Sequence, residues 1–389
     1  MPTVIASAVR TPIGRFGGAF KDLRAVDLGS TAIAAALDRS GVDPARLDEV
    51  VFGHVLQAGA GQITSRQAAV GAGVPMTVPA TTINKVCLSG MSAIAIADRA
   101  IRLGEASLAV AGGMESMSTA PYVLPSARWG ARMGDTTLID VMTHDGLWCA
   151  FDKCTMGESS DLRNAALGIG REEQDEWSAA SHARAAAADT TAEVVPVQVP
   201  QRKGDPVTVT NDEGIRREAD LASLSALRPA FAPNGSITAG NASQISDGAA
   251  ALVLADAAAA AAADLPMLAR VIAYGQVAGP DATLHERPAE AIQVALKRAG
   301  MAVSDLDLVE INEAFAAVAL WSARLLGLDH DRVNVHGGAV ALGHPLGATG
   351  ARIVVTLINA LRLRGGGVGV AALCGGGGQG DALVLEVAG

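Results

Sequence analysis

Cys87-Leu88-Ser89-Gly90-Met91-Ser92 opens an apolar run that continues to Leu103, breaks at Gly104 and resumes as a second apolar run ending at Gly112-Gly113. An echo lies near the other end of the chain. His344-Pro345-Leu346-Gly347-Ala348-Thr349-Gly350 opens a similar run, Gly365, Gly366 and Gly367 interrupt it, and a further run ends at Cys374-Gly375. Each reads as a helix, a glycine stop and a buried strand. Each also sets a chemically competent side chain near a helix N-terminus, where free backbone N–H groups and the dipole stabilise negative charge. Two such units predict a duplicated α/β fold with its site between the copies.

The same alternation extends outward from these units. Apolar runs at 4–9, 49–55, 108–112, 250–255, 307–311 and 368–374 predict buried strands, and 381–389 reads as a last strand. Longer alanine-rich runs at 28–39, 89–103, 288–299, 314–326 and 349–364 predict helices. This pattern implies an α/β architecture with mostly parallel, buried sheets. From about Ser118 to Thr238 it stops. That segment holds Tyr122, Trp129, Trp148 and Trp177 and a charged helical stretch at 171–187, and reads as an insertion forming a lid or binding loop.

Composition sets bounds. A chain of 389 residues with 50% hydrophobic content can bury a large core in two or three structural units. Thirty basic against 40 acidic residues give a net charge of -10, which argues against a nucleic-acid partner. A few local arginines could still draw a small anionic ligand. The N-terminus runs straight into an apolar strand without the pattern of a signal peptide. No run reaches the roughly 18 apolar residues of a membrane span without Gly or a charge. The alanine tract 257–263 lies between Asp256 and Asp264 and reads as a solvent-facing helix. A cytoplasmic protein with no membrane partner is expected.

The cysteines are Cys87, Cys149, Cys154 and Cys374, too few for a disulfide framework and consistent with a reducing compartment. Cys149 and Cys154, near His144, match no structural zinc spacing and lack a fourth ligand, so no metal is expected. Cys87 and Cys374 differ from that pair, because each sits at a glycine-flanked turn. A free cysteine is most often a small buried hydrophobe. A thiol at a helix start, however, reads as a nucleophile with a lowered pKa, and a glycine turn lets a substrate carbonyl approach the backbone.

Gly375, Gly377 and Gly380 match the spacing of a dinucleotide fingerprint, which requires a following helix. Only a strand follows, so these glycines more plausibly let backbone N–H groups crowd a substrate oxygen. His344, locked in a Gly-His-Pro turn, is the best candidate base. His54, His144, His182, His285, His330 and His336 read as surface or hydrogen-bonding residues. Asn312-Glu313-Ala314-Phe315 follows an apolar strand, so Asn312 is either a helix N-cap or a site residue at the end of a strand. Together these residues read as acyl or carbon transfer through a cysteine.

These motifs resemble the thiolase family from Ala6-Ser7-Ala8-Val9-Arg10-Thr11-Pro12-Ile13-Gly14 to the C-terminus. Asn84-Lys85-Val86-Cys87-Leu88-Ser89-Gly90, Gly112-Gly113-Met114-Glu115-Ser116-Met117, Asn312-Glu313-Ala314-Phe315, Gly343-His344-Pro345-Leu346-Gly347 and Cys374-Gly375-Gly376-Gly377-Gly378-Gln379-Gly380 occur in family order. The resemblance implies thiolase-like duplicated βαβαβαββ halves, each with a five-stranded sheet, forming a five-layered αβαβα core. It places the N-terminal half at 1–118 plus about 240–267, an inserted loop domain at 119–239 that binds coenzyme A and makes oligomer contacts, and the C-terminal half at 268–389.

Carried over by resemblance, Cys87 is the nucleophile that becomes acylated and Cys374 the acid/base at C2 of the second substrate. His344 takes the Cys87 proton and, with a water held by Asn312, lines a first oxyanion hole. The N–H groups of Cys87 and Gly376 form a second. Arg216 and Ser223 are placed near the adenine nucleotide end of coenzyme A, Ser243 on the pantetheine arm, and Leu147 and Met156 along its tunnel. Coenzyme A is substrate and product, and no cofactor is implied.

The implied reaction is condensation of two acetyl-CoA to acetoacetyl-CoA, or its reverse. The alternative is degradative cleavage of longer 3-ketoacyl-CoA. A ketoacyl synthase normally lacks a second catalytic cysteine, and a pure acyl-CoA binder would not need Cys87, Asn312, His344 and Cys374 together. The chain departs from the family at Thr155, where short-chain members often carry His, at His336, where many carry Asn, and at Thr349, where Ser is common. The family also implies a homotetramer, with contacts around 122–134, and a place in fatty acid metabolism.

Overall fold

The computed structural model of the chain describes residues 2–389. Its strands are β1 Thr3–Arg10, β2 Glu49–Gly53, β3 Ala80–Ile83, β4 Leu108–Ser116, β5 Ser246–Asp256, β6 Ala269–Ala278, β7 Leu308–Ile311, β8 Gly367–Gly375 and β9 Gln379–Val387. They run in the order β7-β8-β9-β6-β1-β5-β4-β2-β3, with the short strand Gly14–Arg15 added on β5.

The duplication is explicit in the pairing. In the first half β3 and β2, then β2 and β4, pair parallel, and β4–β5 and β5–β1 pair antiparallel. In the second half β7–β8 is parallel, and β8–β9 and β9–β6 are antiparallel. The counterpart of β3 in this half is reduced to a single parallel bridge, Val309 to Val333. The first half therefore has the expected five strands, and the second has four and a bridge. The halves meet edge to edge at Val4–Arg270 and Ile5–Ala269.

Antiparallel pairs outnumber parallel ones, so the expectation of mostly parallel sheets does not hold. Continuous apolar runs record burial on two faces rather than strand direction. Strand β5 is buried at every position. Its Ala250, Leu252 and Leu254 face one core, whereas Ala249, Ala251, Val253 and Ala255 face another. This is the period-2 alternation of a strand with an apolar layer on each side. Strands β3 and β6 escape a reading by apolar runs because both are only partly buried, β6 with polar Arg270 and Gln276.

The longer helices are α1 Ala25–Ser40, α2 Thr64–Gly71, α3 Ser89–Leu103, α4 Met156–Leu167, α5 Arg171–Ala187, α6 Arg287–Ala299, α7 Ala316–Leu326 and α8 Leu346–Leu363. Helices α3 and α8 share the central core with inward residues of both halves, such as Ala109, Leu252, Leu373 and Leu385. α1 and α2 cover the outer face of the first half, and α6 and α7 that of the second. This gives the layers αβαβα. Helix α8 has the length and apolarity to cross a membrane, but 89% of it is buried here as the middle layer. Its first turn lies directly on the sheet: a Cβ on Gly113 would stand 1.9 Å from the carbonyl oxygen of Gly347. Only glycine fits such an approach.

The alanine tract is the short helix Ala257–Ala262, which buries Ala260 and exposes Ala258, Ala261 and Ala262, and it is capped by Asp256, whose side chain accepts from the N–H groups of Ala258 and Ala259. Residues 117–245 form the insertion between β4 and β5, with α4, α5 and small hairpins.

Candidate active site

Cys87 stands in the turn between β3 and α3, immediately after Val86, whose φ is +50°. A β-branched residue in that region is strained by about 1–3 kcal/mol and needs surrounding support. Asn84 Oδ1 accepts from the Val86 N–H at 3.0 Å. Ser89 Oγ donates to the Val86 carbonyl at 2.6 Å and accepts from the Lys85 N–H at 2.8 Å. Lys85 Nζ reaches Asp381 Oδ1 on β9 at 2.8 Å, and the fully buried Asp381 also accepts from Ser92 Oγ at 2.9 Å. The turn is thus tied to both its own helix and the opposite half.

Cys87, His344, Cys374 and Gly376 line one small cavity of about 60 Å³, with Leu147 and Met156 from the insertion. Leu284, Ala314, Phe315 and Leu346 add apolar wall, and Ser243 a hydroxyl.

Cys87 keeps some exposed surface, but its thiol is enclosed. Burial pushes the thiol up to about 12, against opposing backbone N–H groups of Gly376 and Cys87. The expected lowering is therefore overturned, because loss of water outweighs the helix terminus. Cys374, on β8, is buried, and burial followed by the neighbouring Cys87 raises its thiol well above the ordinary value. Both sulfurs rest as thiols.

His344 Nδ1 lies 2.6 Å from Thr349 Oγ1. That hydroxyl donates its one hydrogen to the Pro345 carbonyl at 2.9 Å, so it accepts from Nδ1–H. The network assigns the proton to Nδ1 and leaves Nε2 as a free lone pair, which has no protein partner. Burial, then Arg352, lowers His344 to about 3, keeping a neutral imidazole able to accept a proton. Thr349 therefore serves as the expected serine would. Glu115 supports the same helix start by accepting from the N–H of Gly347 at 2.9 Å.

Asn312 is not a helix N-cap: α7 begins at Ala316 with Phe315 in the cap position. Asn312 does not line the cavity. It is fully buried, two residues before Ala314 of the cavity wall, and neither Oδ1 nor Nδ2 has a protein partner. Two such orphaned atoms suit a bound water or substrate oxygen.

Glu313, next to it, was not singled out from sequence. It accepts from Trp177 Nε1 at 2.9 Å, Ser181 Oγ at 2.8 Å, Asn334 Nδ2 at 2.9 Å and the Val340 N–H at 3.0 Å. It thereby joins α5 of the insertion to the segment leading into His344. Its place in the Asn-Glu-Ala-Phe motif was the available signal.

The small cavity shares Leu147, Met156, Ser243, Ala314 and Phe315 with an outer cleft of about 580 Å³. Arg216 lines this cleft, but Ser223 does not: it is exposed and engaged with Asp220 in a helix cap. Phe231 and Gln244 line the cleft without having been read from sequence. Phe231 packs edge-on against Phe315 at 6.2 Å, a contact with no local sequence signal. Thr155 lines the cleft and caps α4, its Oγ1 accepting from the Glu158 N–H at 3.2 Å. Among the described residues, no cluster of His, Cys, Asp and Glu could hold a metal ion.

Comparison with known proteins agrees with this arrangement. The family model "Thiolase, N-terminal domain" matches residues 3–258 and "Thiolase, C-terminal domain" residues 265–387. A protein of Mycolicibacterium smegmatis named probable acetyl-CoA acetyltransferase is 52% identical over 98% of this chain and 100% of its own length. The acetyl-CoA acetyltransferase of Pseudomonas aeruginosa is 48% identical over 98% of each chain. The crystal structure of the Bacillus anthracis acetyl-CoA acetyltransferase superposes with a TM-score of 0.95 at 41% identity, covering 99% of this chain and 98% of that one.

Proposed function

The chain belongs to the thiolase family, and from that premise we propose that it catalyses the reversible condensation of two acetyl-CoA to acetoacetyl-CoA and free coenzyme A. The observation that carries this reading is the convergence of Cys87, a neutral His344, Cys374 and the Gly376 N–H on one cavity.

Because both cysteines rest as thiols, proton transfer accompanies attack. His344 Nε2 takes the Cys87 proton as the sulfur bonds to the acetyl carbonyl. The N–H groups of Cys87 and Gly376 hold the oxyanion, where one such donor is typically worth on the order of 10²–10³ in rate. The leaving coenzyme A thiolate takes up the Cys374 proton, and Cys374 then removes a proton from C2 of the second acetyl-CoA. The enolate oxygen is held by His344, now protonated at Nε2, and by a water on Asn312. Its carbon attacks the acetyl carbonyl of the acetyl-cysteine, the C–S bond breaks, and the departing Cys87 thiolate takes the proton back from His344 Nε2. Arg216, Ser243, Leu147 and Met156 are the coenzyme A contacts in this reading.

Cavity size favours a short acyl group. The inner space is about 60 Å³, whereas a single water needs roughly 10–15 Å³. The 48–53% identical relatives named acetyl-CoA acetyltransferase support the same choice over degradative cleavage of longer chains. A homotetramer acting in the cytoplasm on fatty-acid intermediates belongs to the same proposal.

Thiolytic cleavage of acetoacetyl-CoA and of a long-chain 3-ketoacyl-CoA, side by side with Cys87→Ala as control, tests it. Fast cleavage of the short substrate alone is expected. Equal turnover of the long one would move the enzyme to the degradative class, and turnover independent of Cys87 would end the catalytic assignment.

A further inference from the structure

Trp148–Cys149 and Cys154–Thr155 form a small antiparallel hairpin in which Cys149 and Cys154 stand directly opposite one another. Both are free thiols, Cys149 buried and Cys154 partly exposed. Opposed residues in an antiparallel ladder have Cα atoms about 4.5–5.5 Å apart and side chains on one face. A disulfide spans Cα separations of roughly 4.4–6.8 Å. The pair is therefore placed for a bond with no rearrangement of the strands. Cys149 Sγ also accepts the Asp152 N–H at 3.3 Å, inside the turn.

The hairpin is not remote from the proposed chemistry. Its strands continue directly into Leu147 and Met156, which line the inner cavity. Phe151 at its tip lies over the glycine loop: a Cβ on Gly377 would be 3.2 Å from the Phe151 ring. Gly377 follows Gly376, whose N–H is directed at Cys87.

We propose that Cys149 and Cys154 form a reversible dithiol–disulfide site that exchanges with small-molecule disulfides such as oxidised glutathione, and that the bridged hairpin restricts the mouth of the cleft. The Cys154 thiolate attacks one sulfur of the glutathione disulfide, breaking its S–S bond and releasing one glutathione thiolate. The Cys149 thiolate then attacks the Cys154 sulfur of the mixed disulfide and releases the second. Two protein thiols are oxidised, one glutathione disulfide is reduced to two thiols, and the two protein protons pass to the leaving thiolates through solvent. The cavity cysteines take no part, because an inner space of about 60 Å³ does not admit the glutathione disulfide. The effect on the cleft rests on the proposed function, but the disulfide itself does not.

The test is incubation of the whole protein with excess oxidised glutathione at about pH 9, on the alkaline side of an ordinary cysteine because burial, then Asp152, raises the Cys154 thiol, followed by peptide mapping. A peptide with Cys149 linked to Cys154, two mass units lighter and restored by dithiothreitol, is expected. In Cys149→Ser, Cys154 should stop at the mixed glutathione disulfide. Cys154→Ser, which alters the more exposed partner, should form no bridge, and its circular dichroism checks folding. A stable mixed disulfide on wild-type Cys154 with Cys149 still free, or oxidation of Cys87 and Cys374 alone, overturns the site. Bridged protein should cleave acetoacetyl-CoA at least several-fold more slowly, with recovery on reduction. Unchanged turnover at full bridging overturns the link to the cleft while leaving the dithiol site standing, and absence of turnover in reduced protein counts against the proposed function instead.

Discussion

Lys85 of the first half and Asp381 of the second are joined through a 2.8 Å contact between Nζ and Oδ1, two residues before the proposed nucleophile. Asp381 is fully buried on β9, opposite Leu373 and one residue beyond the Cys374–Gly380 pair. One carboxylate therefore sets the spacing between the strained turn that carries Cys87 and the strand that carries Cys374.

Replacing Asp381 by Asn keeps the shape and removes the charge that holds Lys85. Breaking a buried pair from one side costs about 3–5 kcal/mol, and Lys85, partly exposed, can recover some of this by turning to water. A loss of roughly 1–3 kcal/mol in urea unfolding is expected, with slower alkylation of Cys87 by iodoacetamide. Unchanged alkylation would show that the turn holds its shape without the cross-link.

Thr349 fixes the tautomer of His344. Thr349→Val removes the acceptor for Nδ1–H and should lower kcat for thiolysis by on the order of 10²-fold with little change in KM, whereas Thr349→Ser should restore it. Since His344 stays neutral down to about pH 3, kcat should show no inflection near pH 6.5. A clear inflection there, absent in His344→Ala, would contradict a buried neutral base.

Asn312 separates stability from activity. Its amide is buried with no protein partner, so Asn312→Ala removes an unsatisfied group and should change unfolding free energy by no more than about 1 kcal/mol. Thiolysis should still fall by on the order of 10²–10³ if its amide stabilises the enolate oxygen through water. Loss of activity accompanied by a large stability loss would point to a packing role.

Acid stability follows from the buried histidines. Burial lowers His54 and His182 to about 4, and His285 and His344 to about 3. A histidine with a folded pKa below its unfolded value stabilises the fold while neutral. Below about pH 6.5 the unfolded chain binds protons that the folded chain refuses, so each costs up to about 1.4 kcal/mol per pH unit. Glu115 and Glu310, raised by burial to about 7 and 8, act oppositely, since their penalty fades as pH falls. His336 is lowered by burial as well, and Glu49 and Asp247 are raised by it. Five histidines against four carboxylates leave a net loss, so the urea midpoint should drop between pH 6.5 and 4.5, and less steeply in His182→Gln. A midpoint that rises on acidification would refute this balance.

Gly113→Ala probes the contact of α8 with the sheet. The added methyl would meet the Gly347 carbonyl at 1.9 Å, and backbone cannot yield as a side-chain tip can. A destabilisation of at least about 3 kcal/mol is expected. Normal stability and activity would mean that the helix start can shift without disturbing His344.

Cys87, His344 and Cys374 were legible in the sequence because each lies at a glycine-flanked turn beside an apolar run, whereas Gly376 came from the family resemblance. Such turns are written in a few consecutive residues. The duplicated α/β order was legible for the same reason, since apolar period and glycine stops are local. Strand direction was not, because a strand with helices on both faces shows the same apolar run whether its neighbour is parallel or antiparallel. Nor were the clasp of Glu313 on Trp177 and Ser181, or Phe231 against Phe315, contacts between residues far apart in the chain. The ionisation of the site belongs to this second group. A helix start at Cys87 predicts a lowered thiol pKa, and the enclosed cavity raises it, because desolvation depends on every element packed around the sulfur. The order of elements and the identity of the reactive side chains reside in the linear chain, while their charge states, free lone pairs and mutual reach exist only once the two halves close around them.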